Sequence, residues 1–298
     1  MRPACLFNVL PEHHAQANAL AQALNIPLSH HEQRAFPDGE TYLRLKENVQ
    51  GYDCLVYCTL NDPDPKLLPL IFLAEVLREM GAHRVVLVAP YLAYMRQDKR
   101  FVSGECVTSR HFASLLSRSF DYLVTVDPHL HRYQHLDELY GIPSHTLSAA
   151  SAIANWLNTQ DVNPVLVGPD SESEQWVQQV AVDMGVPYQI LEKTRHGDFD
   201  VSISIPDVET YRHHTPVLID DIISSGQTML ETLGHLANAG LPPAICIGVH
   251  GLFSAEAWPK LKQAHTHSVV TSNSVLHPSN AIDLIPSIAT ALRQWREV

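Results

Sequence analysis

The sequence predicts an α/β protein with two similar domains, each a mostly parallel sheet flanked by helices. Two observations carry this. Short β-branched runs alternate with helical patterns along the whole chain, which is how parallel strands joined by covering helices read. The alternation also runs through twice: one set ends near Gly141-Ile142-Pro143 and the next starts with a helix at Ser148. A chain of 298 residues, 45% hydrophobic and 17% charged, is long enough for two such cores. No Gly/Ser linker separates the halves. The expected domains are 1–145 and 146–298, with the last helix able to cross back onto the first domain.

Taken in order, the expected strands are 4–9, 53–59, 84–89, 121–126, 164–168, 187–191, 200–205, 216–220, 244–250 and 268–272. The expected helices are 12–24, 66–80, 106–118, 148–158, 173–184, 228–239, 254–264 and 281–296. In helix 228–239, Leu230, Leu233, Leu236 and Ala237 recur at helical spacing, and Gly240 supplies the stop.

The net charge is −12. That argues against nucleic-acid or membrane-surface partners, which need a basic face, but leaves room for phosphorylated small molecules in a local basic pocket. The acid is unevenly spread. Between Tyr133 and Tyr211 the bases are Lys193 and Arg195 alone, against twelve carboxylates that include Asp170, Glu172 and Glu174. The five cysteines show no metal-ligand spacing and lie mostly in apolar stretches, so free thiols in a reducing cytoplasm are expected. The N-terminus has no long apolar stretch, and no run is long enough to span a membrane. The eighteen histidines include no HExxH, and scattered surface histidines are the default.

The strongest local signal is Pro216-Val-Leu-Ile-Asp220-Asp221-Ile-Ile-Ser224-Ser225-Gly226-Gln227-Thr228, followed by a helix. An apolar strand ends in two carboxylates, then a small-residue loop, then a helix N-terminus. Loop amides and the helix dipole suit a phosphate, and Ser224, Ser225 and Thr228 add hydroxyl donors. Asp220 and Asp221 could accept from ribose hydroxyls. Three further segments read less specifically alone. Phe36 beside Pro37-Asp38-Gly39-Glu40 could stack a purine while the acids accept from amines. The bases of Arg96-Gln97-Asp98-Lys99-Arg100 could clamp phosphates or pair with the excess acid. His129 and Asp170 each follow a strand and could coordinate Mg²⁺ directly or through water.

The 216–228 stretch resembles the 5-phosphoribosyl-1-pyrophosphate (PRPP) motif of type I phosphoribosyltransferases and of ribose-phosphate pyrophosphokinases. The other segments resemble the second of these families: Phe36–Glu40 its ATP-binding turn, Pro90–Arg100 its second ATP segment, Thr125–His129 its metal-binding strand end, Gly168–Asp170 its pyrophosphate loop, and Lys193–Arg195 its catalytic loop. They stand in the family's order across nearly the whole chain. The resemblance implies two type I phosphoribosyltransferase-like domains and the reaction of ATP with ribose 5-phosphate to give PRPP and AMP.

It also implies roles. Phe36, Asp38, Gly39, Glu40, Arg96 and Gln97 would bind ATP. Asp220, Asp221, Ser224, Ser225, Gly226, Gln227, Thr228 and Arg195 would bind ribose 5-phosphate. His129 and Asp170 would hold Mg²⁺, and Lys193 and Arg195 would stabilise the transition state. A homo-oligomer is implied, built from dimers and commonly a hexamer, with the 38–40 turn serving a neighbouring subunit.

Three departures stand out. Ser171-Glu172-Ser173-Glu174-Gln175-Trp176 replaces the usual glycines after Asp170, and its carboxylates would repel polyphosphate unless extra Mg²⁺ intervenes or they point away. Ser224 stands where an acid often opens the phosphate loop, and Gly226-Gln227 where a glycine pair follows. The catalytic loop reads Lys193-Thr194-Arg195, with the two outer bases kept. Alternatives are a homologue using another donor or sugar phosphate, a PRPP-consuming phosphoribosyltransferase, and a non-catalytic regulatory homologue. Segments 36–40 and 96–100 argue against the second of these; the retained Lys193, Arg195, His129 and Asp170 argue against the third.

Overall fold

The computed structural model describes residues 2–170, 173–191, 193–195, 201–203 and 208–297, with 193–195, 201–203 and 208–209 described by their backbone. The chain divides into two units: Met1–Leu147 with Ile285–Val298, and Ser148–Leu284. Unit 1 runs β1 (Ala4–Asn8), a 3-10 turn (Pro11–His13), α1 (His14–Leu24), β2 (Leu28–Ser29), β3 (His31–Ala35), β4 (Thr41–Leu45), β5 (Asp53–Tyr57), α2 (Asp64–Glu79), β6 (Arg84–Ala89), α3 (Thr108–Ser119), β7 (Tyr122–Val126) and β8 (Ser144–Leu147). Unit 2 runs α4 (Ala150–Leu157), β9 (Pro164–Gly168), α5 (Glu174–Met184), β10 (Tyr188–Ile190), β11 (Lys193–Arg195), β12 (Val201–Ile203), α6 (Val208–Tyr211), β13 (Thr215–Ile223), α7 (Gln227–Asn238), β14 (Ala244–Gly251), α8 (Ala257–Gln263), β15 (Thr266–Ser272) and β16 (Asn280–Ile282). The last helix, α9 (Ile285–Glu297), belongs to unit 1.

Each unit holds one parallel sheet and one antiparallel hairpin. The sheets have the orders β2-β1-β5-β6-β7-β8 and β10-β9-β13-β14-β15-β16, and the hairpins are β3-β4 and β11-β12. Adding eight to each strand number of the first set gives the second, so the two units share one topology. The match reaches individual residues. β1 and β9, α1 and α5, and β2 and β10 begin at 4 and 164, 14 and 174, and 28 and 188, a constant offset of 160. Asn25 and Gly185 end α1 and α5 in the same left-handed conformation. Ala17, Leu20 and Ala21 face the core on α1, as Val177, Val180 and Ala181 do on α5.

The central strands read as unbroken apolar runs because both faces are covered. Every residue of β5 and β14 is buried. In unit 2, Leu218 and Cys246 pack with Met229, Leu233 and Leu236 of α7 and with Leu261 of α8.

The structure adds elements that pattern reading passes over. β2, β3 and β4 fall where no strand was expected; β3 reads His-Glu-Gln-Arg-Ala and is polar on both faces because it pairs only in a hairpin. β8 and β16 are short edge strands with little apolar content. Residues 281 and 282 are the end of β16 rather than the start of the last helix. The unit boundary lies at 147/148 rather than 145/146. The last helix falls in unit 1 because it packs on α1, with Ile288, Ala289 and Leu292 buried. Conversely α4, which follows the last strand of the first sheet, packs on α5 in unit 2.

His13 sits buried at the start of α1, 6.4 Å edge-on to Tyr57. Burial, with nearby Lys66 adding, pushes its pKa down to about 4. The unfolded chain therefore takes up this proton first. Stability contributed by neutral His13 is present above pH ~6.5 and is lost as pH falls towards ~4, by at most about 3 kcal/mol. Denaturant melts across that window should show this slope in the native protein, and His13→Gln should flatten it.

Candidate active site

In unit 2 the site is built at the C-terminal ends of β9 and β13, where open parallel sheets place their ligands. β13 pairs with both β9 and β14, so Asp220 and Asp221 emerge from the middle of the sheet. Asp221 is buried and Asp220 half-buried, and the Asp221 amide donates to Asp220 Oδ1 at 3.0 Å. Burial, then the neighbouring charges of Asp221 and Asp170, push the Asp220 carboxyl up to about 8. Three carboxylates thus share one region of unit 2, a field that a cation or sugar hydroxyls would relieve.

The loop Ser224-Ser225-Gly226 turns the chain into α7. Gly226 adopts φ 69°, ψ 8° at the helix N-cap. A Cβ there would lie 3.0 Å from Leu261 Cδ1. Ser225, Gln227 and Thr228 are exposed at the helix start, and Ser224 is half-buried beside them. Gly226→Ala combines left-handed strain with that contact, so a stability loss of roughly 1–2 kcal/mol and weaker sugar-phosphate binding are expected. Chemical denaturation and the KM for the sugar phosphate measure the two effects.

Sequence reading missed what holds this loop. The turn after β14 braces it: Leu252 N donates to Ile223 O at 2.9 Å and Ser254 N to Ser224 O at 3.0 Å. Ala257 and Leu261 of α8 close against Gly226. The available signal was Gly251-Leu-Phe-Ser254 directly after a buried strand, a turn at the ligand-bearing end of the sheet.

Asp170 follows β9. Its Oδ1 accepts from Ser173 N at 3.2 Å, and Ser173 Oγ donates to Asp170 O at 2.7 Å, so the pair closes the turn that leads into α5. Ser173 is fully buried, Trp176 belongs to the core, and Glu174 is exposed in the first helical turn, where a carboxylate suits the dipole. Ser171 and Glu172 lie outside the described residues. Gly168 has no room for a side chain, since a Cβ would meet Ile190 Cδ1 and Ser173 Oγ at 2.6 Å. Lys193 and Arg195 form β11, paired antiparallel with β12, and their side chains lie outside the described residues.

Unit 1 carries the other expected segments. Phe36–Glu40 is the tip of the β3-β4 hairpin: Phe36 N donates to Glu40 O at 2.7 Å, Gly39 takes φ 93°, and Asp38 Oδ1 accepts from Glu40 N at 3.3 Å. Arg34, not anticipated, lays its guanidinium 4.8 Å from the Phe36 ring and 4.1 Å from Tyr42, making a cationic aromatic ledge. Arg96 is exposed. Gln97 Oε1 accepts from Thr108 Oγ1 at 3.2 Å, which fixes it to the start of α3. Buried Asp98 pairs with Arg132 at 3.4 Å, tying the 96–100 segment to the loop after β7. On that loop His129 lies edge-on to His131 at 4.2 Å, following Asp127 in a left-handed conformation, φ 34°. Among the described residues, no three His, Cys, Asp or Glu side chains converge to hold a metal on their own.

Residues 6–119 match the N-terminal domain of ribose phosphate pyrophosphokinase, and residues 135–283 the phosphoribosyl transferase domain. A ribose-phosphate pyrophosphokinase of Methanothermobacter thermautotrophicus is 32% identical over 278 residues, which is 93% of this chain and 96% of that protein. The chain belongs to the ribose-phosphate pyrophosphokinase family. A ribose-phosphate pyrophosphokinase of Methanopyrus kandleri is 31% identical, covering 92% of this chain and 93% of that one. The crystal structure of phosphoribosylpyrophosphate synthetase from Mycobacterium smegmatis superposes with a TM-score of 0.86 at 25% identity, covering 99% of both chains. The protein is an enzyme with the activity of the ribose-phosphate pyrophosphokinases, and its two units carry the phosphoribosyltransferase fold.

Proposed function

We propose that the chain makes PRPP and AMP from ATP and ribose 5-phosphate through the residues assembled in the two units. The observation that carries this is the end of β13: half-buried Asp220 and buried Asp221 lead into a braced, small-residue loop at a helix N-terminus. The loop amides of Ser224–Gly226 and the hydroxyls of Ser225 and Thr228 receive the 5-phosphate, with Gln227 at the helix start. Asp220 and Asp221 accept from ribose hydroxyls. The hairpin tip Phe36–Glu40 and the Arg96–Gln97 segment bind ATP, with Phe36 stacking on the purine and Arg96 pairing with phosphate.

The 1-hydroxyl of the sugar attacks the β-phosphorus of ATP. The bond between that phosphorus and the α,β-bridging oxygen breaks, AMP leaves, and the hydroxyl proton passes to solvent. No covalent enzyme intermediate is needed, so the protein contributes in-line positioning and charge stabilisation. Lys193 and Arg195 supply positive charge to the transferring phosphoryl oxygens, and Arg195 also engages the sugar phosphate.

The family uses a divalent metal, and the donors here suit Mg²⁺ shared with substrate: a carboxylate, and an imidazole able to act directly or through a bound water, in a carboxylate-rich field. Asp170 of unit 2 and His129 of unit 1 are each a candidate ligand, and the metal would neutralise polyphosphate charge.

A homo-oligomer built from dimers is our reading for assembly, with the Phe36–Glu40 tip serving a neighbouring subunit. The exposed position of that tip supports it. Five free cysteines, four of them buried, support a reducing cytoplasm. Among the described residues no helix is long and apolar enough to cross a membrane.

Incubation with ATP, ribose 5-phosphate and Mg²⁺ tests the reaction. AMP and PRPP should appear in equal amounts. Absence of AMP at every Mg²⁺ concentration would overturn the reading, and a preference for another sugar phosphate would redirect it.

A further inference from the structure

The shared topology lets each unit be read against the other. Counting along β5 and β13 from their paired starts, Asp53 and Thr215, puts Cys58 and Thr59 where unit 2 has Asp220 and Asp221. Unit 1 therefore lacks the sugar-binding carboxylate pair. Its loop after β5 is filled from within: buried Lys66 donates from Nζ to Thr59 O at 3.2 Å and to Asn61 Oδ1 at 2.9 Å.

The other half of the site has changed differently. In unit 2, β9, the start of α5 and the end of β10 frame the turn that carries Asp170. The corresponding ends in unit 1 (β1, α1 and β2) frame an open cavity of about 220 Å³. Its polar lining is Asn8, His14, Ser29, His30, His31 and Gln33. By the 160-residue offset, Leu10 stands at Asp170, His14 at Glu174 and His30 at Ile190. None of the described lining residues is acidic. Glu47 Oε1 accepts from the backbone N–H of His30 at 3.0 Å.

The His14 and His30 rings lie nearly parallel, 17° apart in plane with centroids 6.4 Å apart, and both side chains are exposed to the cavity mouth. Burial lowers the His31 pKa, against the raising effect of Gln33, whose Oε1 lies 3.1 Å from His31 Nε2; the pair forms one wall of the cavity. Each neutral imidazole can offer one N–H, and each protonated one two. An oxyanion set against the edges of two such rings can accept an N–H from each.

We propose that this cavity is a second ligand site, which takes a phosphate-class oxyanion directly on His14 and His30. Unit 2 presents carboxylates at the same place in the fold and so favours cations. Unit 1 presents imidazoles and favours the anion itself. The inference goes beyond the catalytic reading and uses none of the residues assigned to it.

The test is NMR of the full chain with ¹³C-labelled histidine. His14→Gln and His30→Gln identify the two imidazole signals. At constant ionic strength set with sodium chloride, inorganic phosphate and methyl phosphate are titrated separately. Both signals should shift together and saturably with one or both anions, and the anion that binds more tightly names the source, free phosphate or a phosphate ester. Binding read at the remaining imidazole should weaken about tenfold in each single variant. PRPP formation by the double variant at saturating substrate should match the parent. Signals that stay still in phosphate, or move equally in chloride, overturn the proposal whether or not the enzyme assay succeeds.

Discussion

Lys193→Ala lowers AMP and PRPP formation by roughly 10²–10⁴-fold while leaving the unfolding transition in place. The span from Tyr133 to Tyr211 holds twelve carboxylates, and Lys193 and Arg195 are its two bases. A polyphosphate brought to this unit meets Asp170, Asp220 and Asp221. Charge that develops on the transferring phosphoryl group therefore depends on a base delivered from elsewhere in the unit. The antiparallel β11-β12 hairpin carries both bases on one strand, which is a means of delivery separate from the sheet. Among the described residues β11 and β12 pair only with each other, so changing a side chain on them should cost little stability. The informative comparison is kcat against the KM values: a fall mostly in kcat marks a transition-state role. An unchanged kcat would remove Lys193 from the mechanism. Arg195→Ala should lower kcat and also raise the KM for ribose 5-phosphate.

Leu292→Asp unfolds the first sheet's surroundings and spares the second. Leu292 is completely buried on α9, the helix that packs against α1. A carboxylate placed there without a partner costs several kcal/mol, a large share of the stability of a domain this size. Arg84 and Tyr122 would lose their seat on Trp295, now 4.0 and 5.4 Å from its ring. Hydrogen exchange should show β1, β5, β6 and β7 losing protection while β13, β14 and β15 keep theirs. Leu157→Asp on α4 should do the reverse, because Leu157 is buried on the helix that packs against α5. Equal loss in both units from either change would mean that the two fold as one cooperative block.

Much of this was readable before any coordinates. The alternation of elements and its double pass follow from parallel strands needing cover on both faces. That residues 220–228 leave a strand, turn through a short loop and open a helix was readable, because a core strand avoids adjacent carboxylates and small polar residues. The hairpin strands β3 and β4 were not readable, since polar residues that pair in a two-stranded ribbon leave no apolar alternation. The Asp170 turn was half readable. Glu174 and Trp176 looked like intrusions into a pyrophosphate loop, but one is the first turn of α5 and the other its core face. The allegiance of α9 was beyond reach, because an amphipathic stripe says that a helix is covered and not by what. The residue-level repeat was hidden for a similar reason: His14 and Glu174 share a place in the fold and nothing in chemistry.

The exchange of α4 and α9 has a consequence for synthesis. Ribosomes deliver residues 1–147 first, and domains commonly fold as they emerge. Here the helix that covers α1 is encoded after the whole of the second sheet. Nascent unit 1 must wait, with the side of α1 that meets α9 uncovered, until residues 148–284 have followed it out. At roughly 5–20 residues per second that interval lasts on the order of ten seconds or more. During it the early half is a client for holding factors, and the last turns of the chain act as the latch on the first domain.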